Sequence, residues 1–414
     1  MRSYTELFRT REFTPFFLAF AARTAAQTIS ALALATLVYR ATDSPLLAAI
    51  SMFGPHLAQV LGATFLMSGA DRLPPRSTLT GMEIAFAVSA AVIALPGLPV
   101  WVIFPVLFIQ GLVASVGGGV RGGLLHGILT KNGYLLGRSV FTMSSSIMQI
   151  LGFTTGGALL TFLSPRACLF LAAGLYGVSA LLTRLGLTAR PPRASGRLSV
   201  AATWRTNKLL LSSGPRRLTY LGLWVPNGLI IGCESLYVSY SPDAAGTLFA
   251  SSALGMLVGN LVVGRLIPPM RRSRLATPLL LLLATPYLSF ALRPGLFWSA
   301  LAAGVASVGF GATLVQIERL MSLTPEEIAG HTLGLHSSGM LTMQGVSAAL
   351  AGTMAQFASP AVAMATLAAT SISVTVALAV ARKRQNRRSD AAGDGERVPS
   401  GVTETEEGAR EAGE

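Results

Sequence analysis

The sequence predicts an all-α integral membrane protein, with twelve transmembrane helices arranged as two pseudo-symmetric six-helix bundles. Three observations predict it. The 414 residues are 51% hydrophobic and only 12% charged, with a mean hydropathy of +0.58, whereas a soluble domain carries roughly 25% charged residues. Apolar runs of about 20 residues, the length a bilayer requires, follow one another along the chain between tight polar turns. The chain also repeats itself. Met148-Gln149, Phe162 and Ser164-Pro165 return as Met343-Gln344, Phe357 and Ser359-Pro360, each 195 positions later, and Gly157 returns at the same offset as Gly352. Pro74-Pro75 before Arg76 returns as Pro268-Pro269 before Arg271-Arg272. Short matches are weak singly in Ala/Leu/Gly-rich sequence; their near-constant offset marks two homologous halves.

The expected spans are 14–38, 46–68, 77–95, 99–124, 138–162 and 166–187 in the first half. The second half gives 218–240, 245–267, 275–293, 296–317, 332–356 and 360–381. The domains are thus an N-terminal segment 1–13, a bundle 14–187, a linker 188–217, a second bundle 218–381 and a tail 382–414. The first span follows Arg2, Arg9 and Arg11 and contains Ala31-Leu32-Ala33, which mimics a signal peptide with its cleavage site. A signal's apolar region is only about 7–15 residues, so the longer run 14–38 is expected to stay as a span. The linker carries seven basic residues, Arg190 to Arg217, and no acid. Within it, 198–211 reads either as a short amphipathic helix on the membrane surface, with Val200, Trp204 and Leu211 near one side, or as an ordinary flexible connection. The tail beyond Arg388 turns to Gly, Ser, Thr and acids, the composition of a disordered segment.

Charge sets the orientation. With the N-terminus inside, the inner turns collect Arg72, Arg76, Lys131, Arg138, the linker, Arg265, Arg271, Arg272, Arg274, Arg319 and the basic start of the tail. The outer turns hold only Arg40, Arg166 and Arg293. Both termini are therefore expected in the cytoplasm, in the cell's inner (plasma) membrane. The same distribution explains the net charge of +14 by contact with membrane lipids rather than nucleic acid. Cys168 and Cys233 lie in apolar runs without paired spacing and imply neither a disulfide nor a metal site. No cofactor is implied.

The turn after the second span reads Met67-Ser-Gly-Ala-Asp71-Arg72-Leu-Pro-Pro-Arg76. An acid followed by arginines at a cytoplasmic helix end can clamp neighbouring helices and release them as the halves rock. The turn resembles the G-x-x-x-D-R-x-G-R-R motif of the major facilitator superfamily, matching at Asp71, Arg72 and Arg76 and departing at Met67, Pro74 and Pro75. In the fifth span, Gly152, Gly156 and Gly157 have the small-residue spacing that lets helix backbones touch. They resemble the antiporter motif G-P-x-x-G-G of that superfamily's exporters, with Phe153 in place of proline. Gln110-Gly111 in the fourth span matches half of the family's R-x-x-Q-G, with Leu107 where the arginine belongs. Arg121 follows near the inner helix end. The glycines 117–119 precede no Gly-Lys-Ser/Thr and make no phosphate loop. The resemblance to the major facilitator superfamily covers residues 14–381, and Arg121, Lys131, Arg138 and the fifth-span glycines look most like its drug and metabolite exporters. It implies alternating access, proton-coupled efflux, a cytoplasmic gate of Asp71, Arg72, Arg76 and Arg121, and helix packing through Gly152, Gly156 and Gly157.

Charges inside spans are costly and mark function. Arg23 lies too deep to reach water easily and is expected in a central cavity, facing either an acidic substrate or Glu83. Glu83, near an inner helix end, is expected rather to pair structurally with a loop arginine. Glu234 lies well inside the seventh span, with Asn227 two turns before it. A carboxylic acid withdrawn from water holds its proton more readily, the property proton coupling requires; a wet outer vestibule is the alternative. Gln27 stands where related exporters often carry an acid. The substrate and proton cavity candidates are therefore Arg23, Gln110, Gln149, Asn227, Glu234 and Gln344. His56, His126 and His336 are scattered over different spans and read as hydrogen-bonded rather than metal-ligating. Glu318, Glu326, Glu327 and His331 read as a solvated loop. Met143, Met148, Met340, Met343, Trp224 and Tyr237 can offer an adaptable greasy wall or simply pack. Pro55, Pro226 and Pro286 can kink their helices.

The function expected is secondary transport of a small amphipathic molecule, with protons coupled to efflux. An uptake carrier for a polar nutrient would need more buried polar cavity residues than these few. A membrane enzyme or sensor would need a catalytic cluster or an appended domain, and the sequence offers neither.

Overall fold

The computed structural model describes residues 4–70, 73–129, 131–191, 200–325 and 328–395, and among them is entirely helical. A short helix α1 (Tyr4–Arg9) leads into α2 (Phe13–Thr42), α3 (Pro45–Ala70), α4 (Pro75–Ala94), α5 (Val100–Ile128), α6 (Lys131–Phe162) and α7 (Pro165–Gly186). The linker helix α8 (Val200–Ser212) is followed by α9 (Gly214–Glu234), α10 (Tyr237–Tyr240), α11 (Ala245–Leu261) and α12 (Pro269–Arg272). Then come α13 (Ala276–Ala284), α14 (Leu296–Val308), α15 (Ala312–Ser322), α16 (Ala329–Phe357) and α17 (Pro360–Gly395). Every expected span is thus helical. Nine of the helical stretches among the described residues are long and apolar enough to cross a membrane.

The helix boundaries have local causes. Pro75, Pro165 and Pro360 begin α4, α7 and α17, because a first-turn N–H needs no partner and proline's fixed φ suits the position. Asp43, in the left-handed region at φ 48°, returns its N–H to Tyr39 and ends α2. Buried threonines of α2 satisfy their own hydroxyls: Thr24, Thr28 and Thr36 each donate to the carbonyl four residues back at 2.9 Å, as an apolar solvent requires. Pro55 lies inside α3 and Pro226 inside α9. Pro286 does more than kink its span, which tightens into a 3-10 helix over Thr285–Leu292. The eighth span ends in a π turn over Val262–Leu266. There Arg272 donates to the carbonyls of Gly264 and Ile267, both at 2.8 Å.

Short links make successive helices antiparallel. In the first half α3 packs on α5, and both α2 and α4 on α7; in the second α11 packs on α14, and both α16 and α17 on α9. The two main pairings between the halves are α3 with α16 and α6 with α11, and the short α10 also touches α2 and α3. Both main pairings draw the halves together at the end of the bundle away from the chain termini. Gly157 of α6 meets Gly246 of α11, and Gly352 of α16 meets Leu46 of α3. The Ser44 hydroxyl donates to Gln356 Oε1 at 2.9 Å. Arg40 approaches Asp243 at 4.0 Å. An apolar cluster seals this end from both sides, with Leu32, Ala35, Ala49, Met52 and Phe53 packed among residues of α9, α10, α11 and α16.

The linker helix is amphipathic, but it faces the protein with a different side than expected. Leu210 is fully buried, with Leu211 beside it, against Tyr220, Leu223 and Leu320. Asn207 hydrogen-bonds His331 Nε2 at 2.7 Å, so His331 is engaged rather than solvated. Glu318 likewise pairs with Arg272 at 2.6 Å. Trp204 is left exposed. Glu326 and Glu327 lie outside the described residues.

Candidate functional site

Between the two halves lies a cavity of about 430 Å³, within the range of small-molecule sites. The halves contribute to it unequally in chemistry. From α2 come Arg23, Gln27 and Phe20, from α3 Phe53, His56 and Gln59, from α5 Arg121, and from α6 Gln149 and Phe153. The second half brings Glu234 of α9, Phe249 and Ser252 of α11 and Gln344 of α16.

Its densest feature is an ion cluster. Arg23 Nη1 donates to Glu83 Oε1 at 3.0 Å, and Arg121 Nη1 reaches the same oxygen at 3.4 Å. Three helices are pinned at one carboxylate. Glu83 is 2% exposed and Arg23 8%. The Arg23 guanidinium also lies 4.8 Å from the centre of the Phe86 ring, a cation–π contact strengthened by desolvation. The pairing of Arg23 with Glu83 answers one alternative left open by the sequence. Among the described residues the second partner of Glu83 is Arg121 rather than a loop arginine. With α5 running to Ile128, Arg121 sits two turns inside the helix and lines the cavity.

Glu234 is the last residue of α9, and the helix is interrupted at Ser235 and Leu236 before α10 begins. The acid is 8% exposed and lines the cavity, faced by Ser252 and Ser307 of the second half. Behind it runs a hydroxyl chain, Ser252 to Tyr237 at 2.8 Å and Tyr237 to Tyr287 at 2.5 Å. At the interruption the Ser235 and Leu236 N–H groups donate to the Ile231 and Cys233 carbonyls at 2.9 and 3.1 Å, so it is the Glu234 side chain that faces the cavity.

Of the other expected cavity residues, Gln149 and Gln344 line the cavity, and Gln344 stands within hydrogen-bonding reach of His56 across the two halves. Two do not. Gln110 turns away toward α4 and hydrogen-bonds the Ser89 hydroxyl. Asn227 is fully buried in the second half, donating to the Leu223 carbonyl at 2.6 Å, and although it shares α9 with Glu234 it does not line the cavity. The greasy wall is made of other residues than expected. Tyr237 is buried in its hydroxyl chain, and Trp224 packs on Tyr220 and donates to the His336 carbonyl. The cavity instead takes Phe20, Phe53, Phe153, Phe249, Met52 and Met256. Sequence reasoning missed His56 and Gln59 as lining residues; their spacing of three, one helical turn, was the available signal.

Gly152 packs on Thr28 and Gly156 on Ile29 and Leu32 of α2, while Gly157 makes the contact across to α11. Of the expected gate, Asp71 and Arg72 lie outside the described residues, and Arg76 stands in the first turn of α4. Cys168 and Cys233 are free and buried. Among the described residues no cluster of metal-ligating side chains occurs.

No protein-family model and no curated protein matches the chain. Solved structures do. A POT family transporter in complex with a thioalcohol-conjugated peptide is similar with a TM-score of 0.69 at 13% identity, over 89% of this chain and 95% of that one. A POT family transporter in complex with 5-aminolevulinic acid gives 0.68 at 13% identity, over 88% and 94%. A bacterial homologue of the human lysosomal transporter Spinster, inward-facing and unoccupied, gives 0.62 at 13% identity, over 89% and 94%. These are transporters of the major facilitator type, and this chain has their fold. The narrower likeness to drug and metabolite exporters rests on the sequence motifs alone.

Proposed function

We propose that the protein is a secondary active transporter that moves a small amphipathic molecule across the cytoplasmic membrane by alternating access, coupling efflux to proton entry. One observation carries it: a polar-and-aromatic cavity lies between two halves that close over it at one end through an apolar cluster, small-residue contacts and a few polar contacts. Such a contact can be broken by rocking the halves, and the repeated pairings at Gly157 and Gly352 are its symmetric hinges. The halves are residues 14–187 and 218–381, joined by the basic linker 188–217, with both termini cytoplasmic by the distribution of arginines. On that topology the closed end is the outer one, and the conformation is inward-facing.

Glu234 is assigned the coupling proton. It is a buried acid in the cavity, at an interrupted helix, with hydroxyls and no basic side chain facing it. The cytoplasmic gate is assigned to Asp71, Arg72 and Arg76. Inside-out vesicles carrying an internal pH dye test the function. Substrate-driven proton release from an acidified lumen, abolished by Glu234→Gln, is expected. Release that survives that substitution moves the proton site to another acid, and no release across a broad panel contradicts coupled efflux.

A second reading is favoured by the lining itself. Gln27, His56, Gln59, Gln149 and Gln344 make the cavity more polar than the sequence suggested, which suits uptake of a polar solute. Proton and solute moving together into right-side-out vesicles would decide for it.

A further inference from the structure

The charge of the transported molecule is left open by the transport reading, on which this inference rests. The buried ion cluster narrows it. Two guanidinium groups converge on one oxygen of Glu83, and a single carboxylate balances only one of them. Among the described residues neither arginine forms another ion pair. The second Glu83 oxygen is buried without a partner in the protein, so the arginines' remaining N–H donors point elsewhere. It is Arg23 and Arg121, and not Glu83, that border the cavity. The cluster therefore presents one excess positive charge to the cavity, where an anionic group can balance it. Glu234 does not balance it, since its neighbours are Ser252 and Ser307 on the opposite half. The same cavity is lined on its apolar side by Phe20, Phe53, Phe153 and Met52.

We infer that the cavity takes a molecule with an apolar body and a single anionic head, a carboxylate or sulfonate, which Arg23 and Arg121 bind in competition with Glu83. The head occupies the donors that Glu83 leaves unused and supplies the missing negative charge. Its planar or tetrahedral oxygens suit the guanidinium fork. The apolar body lies along the phenylalanines.

Three probes share one body and differ in charge: 1-naphthaleneacetate, 1-naphthaleneacetamide and 1-naphthylmethylammonium. Their binding to the full-length protein in nanodiscs is measured by titration calorimetry. The acetate is expected to bind about tenfold or more tightly than the other two, the worth of a charge-assisted hydrogen bond. Arg121→Gln should abolish that preference and Arg121→Lys should keep part of it. Glu83→Gln removes the competing charge and should tighten acetate binding about tenfold, an effect opposite to that of general damage. Equal binding of the three, preference for the ammonium, binding of none at millimolar concentration, or an unchanged preference in Arg121→Gln overturns the inference. Acetate binding with no flux of any probe contradicts transport and leaves the anion site standing. Flux of the amide or ammonium but not the acetate does the reverse.

Discussion

Gly157 of α6 and Gly246 of α11 meet backbone to backbone, and a Cβ placed on Gly157 would stand 2.5 Å from the Gly246 Cα. Nothing at that contact can give way except the helices themselves. Overpacking a well-fitted contact costs about 1–3 kcal/mol, so Gly157→Leu should shift the balance away from the closed end by roughly tenfold or more. Labelling of a cysteine placed at Gln344 by a membrane-impermeant maleimide, applied from the side opposite the termini, should rise accordingly. Gly352→Leu, whose Cβ would stand 2.6 Å from the Leu46 Cα, should do the same, because the repeat makes the two contacts equivalent. Unchanged labelling in both would mean that the contact is not a moving part.

The ion cluster makes an asymmetric prediction about stability. Removing one partner of a buried ion pair costs about 3–5 kcal/mol by leaving the other charge unpaired. Glu83→Ala strands two arginines, whereas Arg23→Gln leaves Glu83 still held by Arg121. The fall in thermal midpoint of the detergent-solubilised protein should therefore be clearly larger for Glu83→Ala. Equal or reversed effects would show that Glu83 is not the shared centre.

Docking of the linker helix can be tested separately from transport. Leu210 is fully buried, and large-to-small changes at such sites cost about 2–5 kcal/mol. Leu210→Ala should raise hydrogen exchange over residues 200–212 while leaving exchange in α2 to α7 unchanged. Exchange that rises everywhere would make α8 a part of the global fold.

The spans and the repeat were legible because the bilayer fixes a length of about 20 residues and duplicated halves keep their spacing. Arg23 and Glu234 stood out for a similar reason: a charge within an apolar run has few explanations. What the sequence withheld was azimuth and exact helix length. Gln110 and Gln149 are equally polar and equally placed within their spans, yet one turns to Ser89 and the other to the cavity. Arg121 lies close to the helix end expected at 124, but α5 runs on to Ile128, a single turn that sets the charge deeper in the helix, beside the cavity. Glu83 and Arg23 are 60 positions apart, and no local pattern links them. His56 and Gln59 were overlooked since uncharged polar residues in a span are common and only packing gives them a direction.

Alternating access is tested most directly at the contact between Ser44 and Gln356, 2.9 Å apart across the closed end. With cysteine at both positions, oxidative cross-linking ties the halves together there, while the buried native Cys168 and Cys233 stay out of reach. Transport in proteoliposomes should stop on cross-linking and return on reduction, and each single-cysteine variant should be unaffected by oxidant. Full transport by the cross-linked protein would contradict alternating access through this cavity.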